Sequence, residues 1–359
     1  MPDPRVAAYA ELLVDRSIGA RPGWQVLVAA TTEARPLAQE LSRLLAARGA
    51  YALTRIHFGA AFPVDRDWLV AAPPELAATL PPLELDLLGR VDASIFVLAP
   101  EPDGEALAEE PLRALRAQAL AYRARGRRRE IPSVRCDFPC RAYAARAGLP
   151  LAEFEDVFYA ACLRDWDEEA RRLEPIRTRL ARASEIQITG EGTDLRLGLA
   201  GREWAIDDGR QNVPGGELYT SPVEESIEGE ISFDFPGFAG GGEVRGIRLV
   251  FRGGEVVEAT AEAGEELLLA ALATDPGARR AGELGIGCNE GITRRLRNVL
   301  FDEKMAGTVH VALGDGFPQL GGRNASGIHW DLVKDLRGGG EILCDGELVQ
   351  RDGAWTIPA

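Results

Sequence analysis

WQVLVAA at 24–30, PLAQELSRLLAARGA at 36–50 and YALTRIHF at 51–58 read as strand, amphipathic helix and strand, the helix closing at Gly49. An apolar run of strand length, a helical period and a second strand make a β-α-β unit. The pattern returns downstream in ASIFVLAP at 93–100, a helical stretch through LRALRAQALAYRARG, and IPSVRCDF at 131–138. Repeated units of this kind lay their helices over a parallel sheet, so the first half of the chain is expected to be an α/β domain. No GxGxxG or P-loop follows the first strand, which leaves no positive sign of a nucleotide site.

After a helical segment spanning 151–182 the texture changes. EIQIT, DLRLGL, EGEISFDF, EVRGIRLVF and EVVEATAE are short alternating runs broken by glycine-rich turns, as in antiparallel sheets. Most of the 40 glycines lie in this half, in blocks such as GRQNVPGGE, PGFAGGGE and GDGFPQLGGRN. Such blocks suit loops that bring distant side chains to one point. The expected organisation is an N-terminal parallel α/β domain over 1–182 and a mostly antiparallel α+β domain over 183–359 that carries the chemistry.

The 359 residues allow two domains of ordinary size, and 46% hydrophobic with 27% charged residues supports a buried core in a soluble protein. No apolar run approaches the roughly 18 residues of a membrane span. The start, MPDPRVAAYAELLVDR, lacks a basic region followed by an apolar one, so a cytoplasmic location and no membrane partner are expected. Cys136, Cys140, Cys162, Cys288 and Cys344 are odd in number and scattered, with no second close pair to complete a zinc knuckle, and read as reduced thiols. The net charge of −15 is uneven. Residues 1–180 carry 24 basic and 26 acidic side chains and residues 181–359 carry 17 and 30, leaving −2 and −13 on the halves. An acidic C-terminal half argues against a nucleic-acid partner and suits divalent cations or a cationic substrate group. The basic block RARGRRRE at 123–130 reads as a solvated helix end.

Only three histidines occur, and His310 and His329 lie within twenty residues of each other. His57 falls in a predicted strand, where a structural role is expected. Imidazole is the commonest protein ligand of transition metals, and side chains two apart on a strand face the same way, so His329 and Asp331 can reach one ion. Four blocks place a potential ligand beside glycine or small residues: VPGGELYTSP with Glu217, AGELGIG with Glu283, LFDEKMAGTVHVALGDGF with His310, and GGRNASGIHWD with His329 and Asp331. Three carboxylates and two imidazoles suffice for two divalent ions, one bridging carboxylate and open positions for water.

Over these four ordered blocks, from GTDLRLGLAGREWAIDDGRQNVPGGELYTSP to the end, the sequence resembles the metallo-aminopeptidases of the aminopeptidase S and aminopeptidase T type. A weaker likeness begins at VAAYAELLVDRSIGARPGWQVLV. The resemblance implies that Glu217, Glu283, His310, His329 and Asp331 hold two divalent ions, zinc, cobalt or manganese. It implies removal of the N-terminal residue from peptides with a free N-terminus, with Glu217 or Glu283 moving the proton, and a homodimer.

Two positions depart from the family pattern. Phe317 stands seven residues after His310, where the family carries a tyrosine, and lacks a hydroxyl to ligate metal or donate to an oxyanion. Lys304, in DEKMAG where a DENAA-like run is usual, is open to three readings: contact with a substrate carboxylate, pairing with Glu303, or exposure to solvent. Two other functions use the same residues. His310, His329 and Asp331 alone are the ligand inventory of a mononuclear Fe(II) oxygenase, and a ring-cleaving dioxygenase acting on hydroxypyridine is distantly similar to these aminopeptidases. A non-catalytic metal-binding homologue would be consistent with Phe317.

Overall fold

The computed structural model describes residues 3–58, 64–101, 107–127 and 131–357; the side chains of 122–130, and with them the basic block at 123–130, lie outside the described set. The chain divides into two compact units, Met1–Arg164 with Gly209–Gly215, and Asp165–Asp208 with Gly216–Ala359.

In the first unit β1 (Gln25–Thr31), β2 (Tyr51–His57), β3 (Ala93–Leu98) and β4 (Ser133–Asp137) form a parallel sheet in the order β2-β1-β3-β4, extended beside β4 by Asn212–Val213. The apolar runs of β1 and β3 are buried on both faces, as central parallel strands are, whereas the edge strand β2 leaves Tyr51 and Ile56 exposed. The helix Arg35–Ala47 turns Leu37, Leu41, Leu44 and Leu45 inward at helical spacing and stops before Gly49, whose φ of +75° ends the turn.

The second unit contains an eight-stranded antiparallel sheet, which includes the expected runs as Glu185–Gly190, Thr193–Gly198, Glu228–Ser232, Arg248–Arg252 and Glu255–Thr260. A second antiparallel sheet of five strands carries the candidate site. It comprises β5 (Ala205–Asp207), β6 (Glu217–Thr220), β7 (Ala281–Gly287), β8 (Thr308–Gly314) and β9 (His329–Asp335), in the order β9-β8-β7-β6-β5. The protein is thus mixed α/β, with one parallel sheet and separate antiparallel sheets.

The observed division differs from a boundary at 182/183 in two places. The helix Trp166–Leu180, capped by Asp165, goes with the second unit because Leu173, Ile176 and Leu180 share one apolar core with Ile186, Ile188, Leu195 and Leu197. Residues 209–215 return to the first unit because Asn212 and Val213 pair with Arg135 and Cys136 of β4. Among the described residues no helix is long and apolar enough to cross a membrane.

All five cysteines are free and buried, and burial raises each thiol above its ordinary pKa. A thiol reagent at neutral pH is therefore expected to label the native chain slowly and all five cysteines at once after denaturation. Rapid stoichiometric labelling of Cys140 in the native protein would contradict this reading.

Candidate metal centre

Alternation along β6 to β9 divides their side chains, with one register shift between Ala281 and Glu283 in β7. Leu218, Leu284, Ile286, Val309, Val311, Leu313, Trp330 and Leu332 belong to the apolar core. The intervening residues face the other way. The register aligns them in rows: Asp207 with Glu217 and Gly287, Tyr219 with Gly285 and His310, Glu283 with Ala312 and Asp331, and Gly314 with His329. All five expected ligands therefore stand on one face of one sheet, together with Asp207 and Tyr219. They lie on strands, and this corrects the expectation that glycine-rich loops assemble them.

Glycine acts here by making room within the strands. A Cβ on Gly285 would lie 2.0 Å from His310 Nε2, so the imidazole rests directly over bare backbone. A Cβ on Gly287 would lie 2.1 Å from the Met305 carbonyl oxygen, so the Glu303–Met305 segment crosses the sheet at that point. Gly216, at φ +96°, gives the tight entry into β6 that positions Glu217.

The ligand atoms form two groups that share a member. Glu217, Glu283 and His310 make one, and Glu283, His329 and Asp331 the other, with the ligating atoms of each group within 4.8 Å of one another. His310 Nε2 is 3.3 Å from Glu217 Oε2 and 3.4 Å from Glu283 Oε1. His329 Nε2 is 3.0 Å from Glu283 Oε2 and 3.5 Å from Asp331 Oδ1. Both rings are oriented from behind, His310 Nδ1 lying 3.1 Å from the Glu303 carbonyl oxygen and His329 Nδ1 2.8 Å from that of Asp315. An Nδ1–H donated to a carbonyl leaves the lone pair on Nε2, which is how metal-binding histidines are held. Each Nε2 then faces carboxylate oxygens, an arrangement that a proton on Nε2 or a metal cation in its place satisfies. Glu217 Oε2 is buried without a hydrogen-bond partner. The residues present therefore fit divalent cations.

Lys304 corrects the solvent-exposed reading. It is 0% exposed, and its ammonium donates to Glu303 Oε1 at 2.6 Å and Glu217 Oε1 at 2.9 Å. Asp207 Oδ2 lies 3.8 Å away. Asp207 and Tyr219 drew no notice in the sequence. Their only signal was spacing, since Tyr219 is two residues from Glu217 on the same strand. Phe317 packs against both Tyr219 and His329, ring centroids 5.2 and 5.5 Å apart, and its N–H donates to Ser221 Oγ at 2.8 Å. His57 lies in the first unit, 3.6 Å from Asp65, and burial lowers its pKa.

Burial and charge pull the titrations of this face in opposite directions. Burial pushes Glu217 up to about 8 against the opposing pull of Lys304 and His310. Burial acts on Glu283 too, but the two histidines on its oxygens outweigh it and hold the carboxyl below its ordinary range. Burial lowers His310, and the Glu283 and Glu217 carboxylates more than reverse this, lifting it to about 9. His329 is raised by Asp331 and Glu283 against the same desolvation. Burial, with the charges of Asp207, Glu217 and Glu283, pushes the Tyr219 hydroxyl up, so it remains a proton-bearing donor.

A family model described as thermophilic metalloprotease (M29) matches residues 3–355, and the chain belongs to that family. Aminopeptidase T of Thermus aquaticus is 34% identical over 204 residues, covering 48% of this chain and 49% of the relative. Aminopeptidase T of Thermus thermophilus is 36% identical over 171 residues, 44% and 40% of the two chains. The chain thus matches about half the length of these curated relatives or less. A longer match joins it to Aminopeptidase 2 of Geobacillus stearothermophilus, 27% identical over 86% of this chain and 83% of the relative. Among solved structures, wild-type AmpT from Thermus thermophilus superposes with a TM-score of 0.82 at 25% identity over 99% of both chains. The 2,5-dihydroxypyridine dioxygenase of Pseudomonas putida KT2440 shares the fold at a TM-score of 0.60 and 14% identity, over 99% of this chain and 97% of its own.

Gly285→Ala is expected to displace the His310 ring while leaving the core face of β7 intact. Metal affinity should fall by about 10- to 100-fold or more, the loss typical when a ligand's support is removed. Calorimetric metal titration beside circular dichroism checks it, and unaltered affinity in a folded variant would show that His310 does not depend on this glycine.

Proposed function

We propose that this chain is a metal-dependent aminopeptidase that hydrolyses the first peptide bond of peptides with a free N-terminus. In this reading Glu217, Glu283 and His310 hold one divalent cation and Glu283, His329 and Asp331 a second, with zinc, cobalt or manganese as the ions. The observation that carries the proposal is the pair of ligand groups joined at Glu283, one of its oxygens toward each histidine. The names of the family relatives, all aminopeptidases, support the reaction.

When bound, such cations polarise a scissile carbonyl and supply a nucleophilic water of lowered pKa. The protein's own groups do the rest. His310 and His329 are oriented by the Glu303 and Asp315 carbonyls, so each Nε2 points into its ligand group and gives up its proton when a cation binds there. Glu283 is committed through both oxygens and suits the shared ligand. Glu217 keeps Oε2 without a hydrogen-bond partner and turned toward His310, which suits it as a ligand of the cation it shares with Glu283 and His310. Tyr219 brings a hydroxyl-bearing ring to the same face, where Phe317 has none.

The mononuclear Fe(II) reading fits the geometry less well. His310 and His329 fall in different ligand groups, and Glu283 stands in both. A homodimer, by extension from the family, and a cytoplasmic location remain part of the proposal.

Aminoacyl-anilides and short peptides, tested with added Zn, Co or Mn, should lose their N-terminal residue, and N-acetylated peptides should not. One Fe per chain with consumption of a dihydroxypyridine would replace the proposal with ring cleavage. His329→Ala should keep the circular dichroism of the native fold while metal affinity drops by more than the roughly 10- to 100-fold typical of residues that merely support a ligand, and hydrolysis should fall with it. Full activity in that variant without metal would sink the mechanism.

Phe317→Tyr tests whether the family's route is followed with one donor missing. Losing an oxyanion donor typically costs roughly 100- to 1000-fold. The variant should therefore raise kcat with little change in KM, because such a donor acts in the transition state. A lower kcat in a folded, fully metallated variant would mean that the site is built around phenylalanine.

A further inference from the structure

Lys304 is a buried cation at this face that the ligand assignment does not use. It is fully buried, and its ammonium sits 2.9 Å from Glu217 Oε1, 2.6 Å from Glu303 Oε1 and 3.8 Å from Asp207 Oδ2. Its approach is fixed by the backbone, because the Lys304 carbonyl accepts from Asn289 N at 2.9 Å and the next residue crosses over Gly287. The Glu283–His329–Asp331 side has no counterpart. Among the described residues, the ion-pair partners of Glu283 and Asp331 are histidines, with no lysine or arginine.

We infer that Lys304 is a resident counter-cation that makes the two halves of the metal centre unequal, so that the Glu283–His329–Asp331 half fills first and the Glu217–Glu283–His310 half second and more weakly. The inference rests on the two-cation reading above. Its physical basis is competition for one carboxylate. An ammonium bonded to Oε1 draws electron density from the group that must ligate through Oε2, and it adds a like charge close by where little water screens it. The same bond orients the ligand, since holding Oε1 turns Oε2 toward His310, 3.3 Å from Nε2. Lys304 is therefore a positioning residue that aims Glu217 and weakens its hold on metal. Glu303 and Asp207 keep the ammonium charged and in place.

The test is a Co(II) titration of the metal-stripped full chain by calorimetry, with anomalous scattering from crystals given one equivalent to locate the first ion. In the native chain the first ion should lie among Glu283, His329 and Asp331, and the second should bind at least about tenfold more weakly, equivalent to 1.4 kcal/mol. Lys304→Met removes the charge at similar length. The double variant Lys304→Met with Glu303→Gln does so without stranding the Glu303 carboxylate, and circular dichroism checks both folds. Either folded variant should bind the second ion about tenfold or more tighter while the first affinity is unchanged.

Two ions of equal affinity in the native chain, or first filling at His310, overturns the inference while leaving the two-cation reading intact, and needs no variant. An unchanged ratio of affinities in a folded variant overturns it as well. Unequal binding that responds to Lys304 in a chain that cleaves no peptide upholds the inference and removes the aminopeptidase reading. Failure of the native chain to bind Co(II) removes both.

Discussion

Carboxylates buried on one sheet face must be neutralised where they stand. Asp207, Glu217, Glu283 and Glu303 are all buried. An isolated carboxylate out of water is unfavourable by many kcal/mol, so each needs a cation or a proton within reach. Lys304 answers for Glu303, Glu217 and Asp207, and the two histidines for Glu283. Removing one partner from a buried pair of this sort typically costs about 3–5 kcal/mol. The short segment Glu303–Met305 therefore carries more than one duty. The Glu303 carbonyl orients His310, the Lys304 side chain holds Glu217, and the Met305 carbonyl occupies the space a side chain on Gly287 would need.

The rigidity of the site comes from the opposite face of the same strands. Each residue that projects a polar group is flanked by one that enters the apolar core, as Glu217 is followed by Leu218, Glu283 by Leu284, His310 by Val311 and His329 by Trp330. Moving a ligand would require sliding a strand by two residues against its neighbours or lifting core side chains into water. Each large apolar side chain so exposed costs about 1.5–3 kcal/mol. Register thus fixes the geometry of the centre, and a slip of one residue would turn every ligand into the core.

What was legible in the sequence follows from which forces are local. The parallel sheet could be read because β1 and β3 are apolar on both faces, and a run such as VLVAA has few other uses. The pairing of His329 with Asp331 could be read because two residues on a strand face the same way. The joining of Glu217 to His310 could not, since β7 lies between their strands and nothing near either residue states that order. The glycines misled for a related reason. In sequence a glycine marks a turn more often than a clearance, and only the His310 ring above Gly285 reveals which it is. The three readings of Lys304 could not be separated in sequence, because its burial depends on Asp207 and Glu217, far away along the chain. The helix Trp166–Leu180 was readable as a helix, but its apolar stripe does not say which core it enters.

The two halves of the centre also differ in their access to water. The Glu217, His310 and Lys304 side chains are at most 6% exposed, whereas those of His329 and Asp331 are 23% and 15% exposed. Solvent therefore reaches the His329 and Asp331 side more readily than the Glu217 and His310 side. On the buried side solvent has little access to Glu217, and a hydrogen bond to it is correspondingly strong. A charge fixed there by the fold acts on the ligand at every stage of binding, while a charge placed on the open side would be screened. The lysine sits on the side where burial lets a single ammonium weigh most, and this placement, more than the number of ligands, sets the character of the site.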